Sequence, residues 1–158
     1  MRKFYLLLFL SFILCLSGCT QGEEEPGDYS GIVNDGKAIG YQYTLTLDKG
    51  NFSWEIGYKG NTSIYKESAE NEKDLENFKH AVDDSQSALT TLMITGTFLL
   101  IVVLLTFFIY KKNKNMLKGA HAIIVVVVGF AIYHSLTASV ELSRSLQDAE
   151  YYYLLLRN

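Results

Sequence analysis

Two cysteines, three histidines and a band of acids are the side chains of this 158-residue sequence best equipped for chemistry. A metal site needs His, Cys or carboxylate ligands at close, repeated spacing. Cys15 and Cys19 have no second pair to complete them, and His80, His121 and His134 are dispersed along the chain. Nucleophilic catalysis needs a Ser or Cys with a base held beside it. The sequence has no nucleophile elbow, no HExxH and no phosphate-binding glycine loop. Glu55 and the acids between residues 67 and 84 lack the ligand spacing of a calcium loop, so they read as a solvated face. His134 falls within an apolar stretch, where an ionisable group is a functional candidate by default. With no acidic neighbour it makes a poor proton relay. It reads instead as a neutral imidazole hydrogen-bonded to a hydroxyl of another helix. Thr91, Thr95 and Thr97 are available, and Thr97 is nearest in height. The chain therefore reads as a non-enzyme without a cofactor or bound metal.

Cys19 is the exception, because of what precedes it. Arg2 and Lys3 are followed by the apolar run Phe4 to Leu16, then by Ser17 and Gly18. A basic, apolar, small-residue series is a secretory signal. Its apolar run is shorter than the roughly 20 residues that span a bilayer. Leu16-Ser17-Gly18-Cys19 resembles the lipobox of bacterial prolipoproteins at all four positions. The resemblance implies removal of residues 1–18, a diacylglycerol thioether on Cys19 and a palmitate-type acyl anchor at the new N-terminus. Cys15 would leave with the signal. The one remaining Cys is then lipidated, and no internal disulfide can form. Asn51-Phe52-Ser53 and Asn61-Thr62-Ser63 are glycosylation sequons. They read as chance triplets if the chain is a bacterial lipoprotein.

The elements that carry these residues are legible from charge and period. No residue between Asp84 and Lys111 is charged, and none is between Lys118 and Glu141 apart from the titratable His121 and His134. Leu89 to Tyr110 and Ala120 to Val140 are each long enough to cross a bilayer. The stretch between them, 111–119, carries four Lys and no acid. By the positive-inside rule it is a cytoplasmic loop, which leaves both chain ends outside. The signal segment demands the same threading independently. The net charge of −3 conceals a segregation: residues 20–90 hold fourteen acids against six basic side chains. A nucleic-acid binder is not expected from such a chain.

Residues 19–27 read as an acidic tether. Residues 28–66 alternate in the manner of half-buried strands, with Tyr41, Tyr43, Leu45 and Leu47 on one face and Phe52, Trp54, Ile56 and Tyr58 matching them. The period predicts strands near 28–33, 38–47, 52–58 and 62–66. The turns fall at Asn34-Asp35-Gly36-Lys37, Asp48-Lys49-Gly50-Asn51 and Lys59-Gly60-Asn61. An aromatic face on so small a sheet needs cover, and the protein's own helices are the expected cover. Residues 67–88 read as a helix capped near Asn71 and continuous with the first span. Leu75, Phe78, Val82, Leu89 and Leu92 form its apolar seam, which Ser85 interrupts. Residues 141–158 read as a second exported helix, with Leu142, Leu146, Ala149, Tyr153 and Leu156 as its seam.

Helical residues equidistant from Asn115 lie at equal heights in a hairpin turning there. That rule sets Phe78 beside Tyr152, Leu75 beside Leu155, Val82 beside Asp148 and Ala149, and Asp83 and Asp84 near Arg144. Leu75, Phe78, Val82, Leu146 and Tyr152 are the expected contacts of the hairpin. The expected fold class is an α+β membrane protein: a two-span antiparallel transmembrane hairpin extended outside the membrane, with a small exported antiparallel β-meander. The expected setting is a bacterial cell membrane, with Cys19 and two spans in the bilayer. The expected role is an accessory or regulatory subunit that binds a membrane-protein partner. The alternative is a self-contained effector, such as an immunity protein or a small homo-oligomeric channel.

Overall fold

The computed structural model describes residues 31–112 and 114–157. Cys19, the signal segment and the acidic tether lie outside the described residues. Four strands come first: β1 (Gly31–Ala38), β2 (Tyr41–Asp48), β3 (Asn51–Tyr58) and β4 (Asn61–Lys66). They form an antiparallel meander in the order β1-β2-β3-β4. The registers Tyr43↔Ile56 and Leu45↔Trp54 place the alternating apolar residues of β2 and β3 on one face. Two long helices follow, α1 (Glu72–Lys112) and α2 (Lys114–Arg157).

Every strand connection is a two-residue turn with both residues at positive φ: Ile39-Gly40, Lys49-Gly50 and Lys59-Gly60. That is the turn whose twist suits a tight hairpin. The first turn corrects the sequence reading. Asn34-Asp35-Gly36-Lys37 carries a strong turn signature, yet it lies inside β1. Gly36 is there for a close approach. A Cβ on it would lie 2.5 Å from Tyr43 Cε1 and 2.9 Å from Asp83 Oδ1. The true turn uses Ile39 at φ 45°, a conformation that a β-branched residue rarely adopts. A bulge between Ile32 and Asn34 shifts the β1–β2 register.

The helix starts at Glu72, later than residue 67. The Asn71 carbonyl accepts the Leu75 N–H at 2.9 Å, which makes Asn71 the N-cap residue. Its side chain is used on the incoming chain, accepting from Ser68 N–H at 2.8 Å and donating to the Lys66 carbonyl at 3.0 Å. From there α1 runs unbroken to Lys112, and α2 begins at Lys114. The stretch read as a loop, 111–119, therefore lies almost wholly within helix ends.

The two helices pack along their length. At the sheet-bearing end Leu75, Phe78 and Val82 are fully buried, and Ala149 of α2 is buried with them. Leu146, Tyr152, Tyr153 and Leu156 pack against the same core. Ser85 does not interrupt this seam. It is fully buried, with its hydroxyl 2.8 Å from that of Ser145 and 2.8 Å from the Ala81 carbonyl. Further along, Ser135 donates to Thr95 at 3.0 Å. Both serine and threonine pairs are equidistant from Asn115, so the two helices hold one register throughout.

Candidate functional site

The sheet meets the helices through an aromatic junction. Tyr41, Tyr43, Trp54 and Ile56 are buried against Leu75, Phe78, Ala81 and Val82. Tyr41 stacks on Tyr58 with ring centroids 4.4 Å apart and meets Phe78 and Tyr153 edge-on. Such offset and edge-to-face pairs are the favoured aromatic geometries. Polar tips of the buried rings are satisfied. The Tyr43 hydroxyl donates to Asp83 at 2.7 Å, and Trp54 Nε1–H donates to Glu67 at 2.6 Å. Lys37 N–H donates to Gln86 at 3.2 Å, joining the outer edge of β1 to α1.

Two consequences can be measured. Gly36→Ala drives a methyl into the Tyr43 ring and the Asp83 carboxylate. We expect it to destabilise the junction by about 1–3 kcal/mol, the range for overpacking a filled core. Equilibrium unfolding followed by Trp54 fluorescence reads this. The second consequence concerns pH. Burial first, then the bond to Asp83, pushes the Tyr43 hydroxyl above its ordinary value of 10.0, and burial also raises Tyr41. The folded chain keeps these protons where the unfolded chain releases them. Their contribution is therefore complete below pH 10.0 and is lost as pH climbs above it. The thermal midpoint should fall above pH 10.0, and Tyr43→Phe should flatten that fall.

Asp83 is engaged by the sheet, while Asp84 lies near Arg144 as the height rule expects. Among the described residues no carboxylate lies within ion-pair distance of Arg144. Arg144 instead lines an open groove of about 640 Å³ with Asp84, Glu141 and Asp148, floored by Tyr133 and Val140. His134 is corrected too. It does not bond Thr97, whose hydroxyl donates to the Met93 carbonyl. Its ring packs at 4.3 Å on Phe130 and at 5.7 Å beside Tyr133, while the neighbouring Ser135 makes the polar contact across the hairpin. No cluster of three His, Cys or carboxylate groups converges among the described residues.

The remainder of the helices is apolar and faces outward. Both are long and apolar enough to cross a membrane. Phe107, Phe108, Val126 and Phe130 are exposed, together with most large side chains between Met93 and Tyr110 and between Ile123 and Val140. The hydroxyls here are internally satisfied. Thr91, Thr95, Thr97, Thr106 and Thr137 each donate to the carbonyl four residues back, so none needs water.

Fold and surface together define an α+β protein: an antiparallel hairpin of two membrane-compatible helices with a four-stranded meander packed on one end. No family model matches the chain, and no curated protein or solved structure is detectably similar to it.

Proposed function

We propose that the chain is a non-enzymatic bacterial membrane lipoprotein that presents the meander and its helical stalk outside the cell membrane as an accessory or regulatory binding unit. The observation that carries this reading is the outward apolar surface. A core helix of a soluble protein buries its apolar side chains, whereas the apolar stretches of these two helices bury only the seam between them and expose the rest. Such a surface is stable in hydrocarbon. The exposed apolar stretch of α1 from Leu89 to Tyr110 measures about 33 Å at the helical rise, close to the thickness of a bilayer core.

The threading follows from the Lys-rich stretch Lys111–Lys118, placed in the cytoplasm, with both ends outside. A lipid on Cys19 would anchor the N-terminal tether to the same leaflet. Interaction rather than catalysis is supported by the junction, whose Tyr43 and Trp54 donors are spent on Asp83 and Glu67.

Threading and role are tested separately. Ser63→Cys on β4 should react with a membrane-impermeant maleimide in intact cells, and Asn115→Cys only after permeabilisation. The opposite pattern overturns the threading. Mild-detergent purification from native membranes should yield a stoichiometric integral-membrane partner. A clean monomer or homo-oligomer overturns the accessory role and favours a self-contained effector.

A further inference from the structure

The meander stacks along the helices with β1 nearest the apolar stretch. β4 leads directly into the N-terminus of α1 through Asn71. At the other edge, β1 lies against Asp83 and Gln86, and Asp35 shares a surface hollow with Ser87, Thr90 and Thr91. The spacing agrees with this placement. Four strands about 4.8 Å apart cover about 14 Å. The eleven steps of helical rise from Leu75 to Gln86 cover about 16 Å. The apolar stretch of α1 begins at Leu89, one residue before Thr90. The β1 edge therefore stands within a few ångströms of it, inside the headgroup layer that a spanning hairpin would meet.

The side chains along that edge fit such a neighbour. Ile32 and Val33 sit at the bulge and are 58% and 49% exposed, and Lys37 is exposed on the same strand. At the end of β1, the exposed Ile39 occupies the left-handed turn position that the two sister turns fill with Lys49 and Lys59. Three exposed apolar side chains, Ile32, Val33 and Ile39, gather on β1 and its turn beside the apolar stretch, against one each on β3 (Phe52) and β4 (Ile64).

We propose that β1 is a lipid-facing edge. Ile32 and Val33 rest in the outer leaflet of the same bilayer that α1 and α2 cross, and Lys37 meets lipid phosphate. This deepens the reading above and rests on its spanning hairpin. It fixes the meander upright on the membrane. It also places Gly31, the first described residue, at the lipid surface where an acylated Cys19 would lie.

The test uses the full chain in vesicles of phosphatidylethanolamine and phosphatidylglycerol, with a diazirine amino acid placed at Val33, Ile64 or Leu100 in turn. Ile64 is the control, 74% exposed on the far strand. Crosslinking to radiolabelled phospholipid is expected at Leu100 and Val33, several-fold above Ile64. Lipid capture at Leu100 with Val33 no higher than Ile64 overturns the proposal and leaves the spanning hairpin intact. Absence of capture at Leu100 overturns the spanning hairpin and this proposal with it.

Discussion

Replacing Phe78 with alanine should destabilise the sheet-bearing end by about 3–5 kcal/mol, the range for removing a fully buried aromatic ring. Phe78 is completely buried at the point where the sheet, α1 and α2 meet. Its ring centroid lies 6.3 Å from both Tyr41 and Tyr153, so it links the sheet to the C-terminal half of α2. Tyr41 and Tyr153 close the same three-way contact, with their ring centroids 6.0 Å apart. The apolar parts of the helices do not depend on it. The expected phenotype is therefore selective: the meander loosens while the hairpin stays helical. Trp54 is the one tryptophan of the sequence and is buried at this junction, so its emission should shift to the red. Protease sites in the turns at Lys49 and Lys59 should open. Helix content by circular dichroism should change little. A global loss of helix would instead mean that the junction, rather than the apolar seam, holds the hairpin together.

The sequence displayed the meander and the helices through period alone, because a half-buried strand must alternate and a paired helix must keep a seam. It hid two things whose causes are tertiary. The first turn is Ile39-Gly40, which has no turn signature, while Asn34-Asp35-Gly36-Lys37 has one and is strand. What decides between them is the Tyr43 ring lying over Gly36, and its partner Asp83 is 40 residues away from Tyr43. Ser85 looked like a break in the seam because its partner, Ser145, stands on the other helix. A buried hydroxyl is tolerated when it is matched, and the match is invisible until the register is known. The same limit applies to Asp83. The height rule sets it near Arg144, but the Tyr43 hydroxyl of the sheet takes it. Thr97 and His134 illustrate the reverse. Equal height suggested a bond, yet Thr97 had a carbonyl of its own helix within reach.

The junction and the seam make the protein two mechanical units joined at one place. The sheet is held by aromatic burial at one end of the helices, and the helices are held to each other by small residues and hydroxyl pairs. Ala88, Ala131, Ala138 and Ser145 are buried along the seam, and small residues of this kind allow helix backbones to approach closely. A partner gripping the sheet would thus pull on the hairpin chiefly through the junction around Phe78 and Tyr153, the Tyr43–Asp83 and Lys37–Gln86 bonds and the chain connection at Asn71. This gives the junction substitutions a second readout. Gly36→Ala and Tyr43→Phe should weaken transmission from a sheet-bound partner while leaving the apolar helices unchanged.

The register of the hairpin makes the sharpest prediction. Ser85→Cys combined with Ser145→Cys should form a disulfide in nearly every molecule under mild oxidation. The two hydroxyl oxygens already lie 2.8 Å apart and both side chains are buried in the seam. A disulfide needs an S–S distance of about 2.05 Å, which a small side-chain rotation supplies. Ser87→Cys with Ser143→Cys is the matched control. These two residues are also equidistant from Asn115, but both are exposed on the outside of the hairpin. Equal height with opposite facing should leave them unlinked. Mass spectrometry of the bridged peptides distinguishes the pairs, with the unsubstituted chain reporting any contribution from Cys15 and Cys19. The bridge would close 60 residues of chain, worth up to about 4 kcal/mol on a chain-entropy estimate. The measured gain should be smaller, because a hairpin whose helices stay in the bilayer already restrains its unfolded state. A bridge in the control pair, or none in the seam pair, would show that the helices turn a different face to each other and would displace Phe78 from the junction as well.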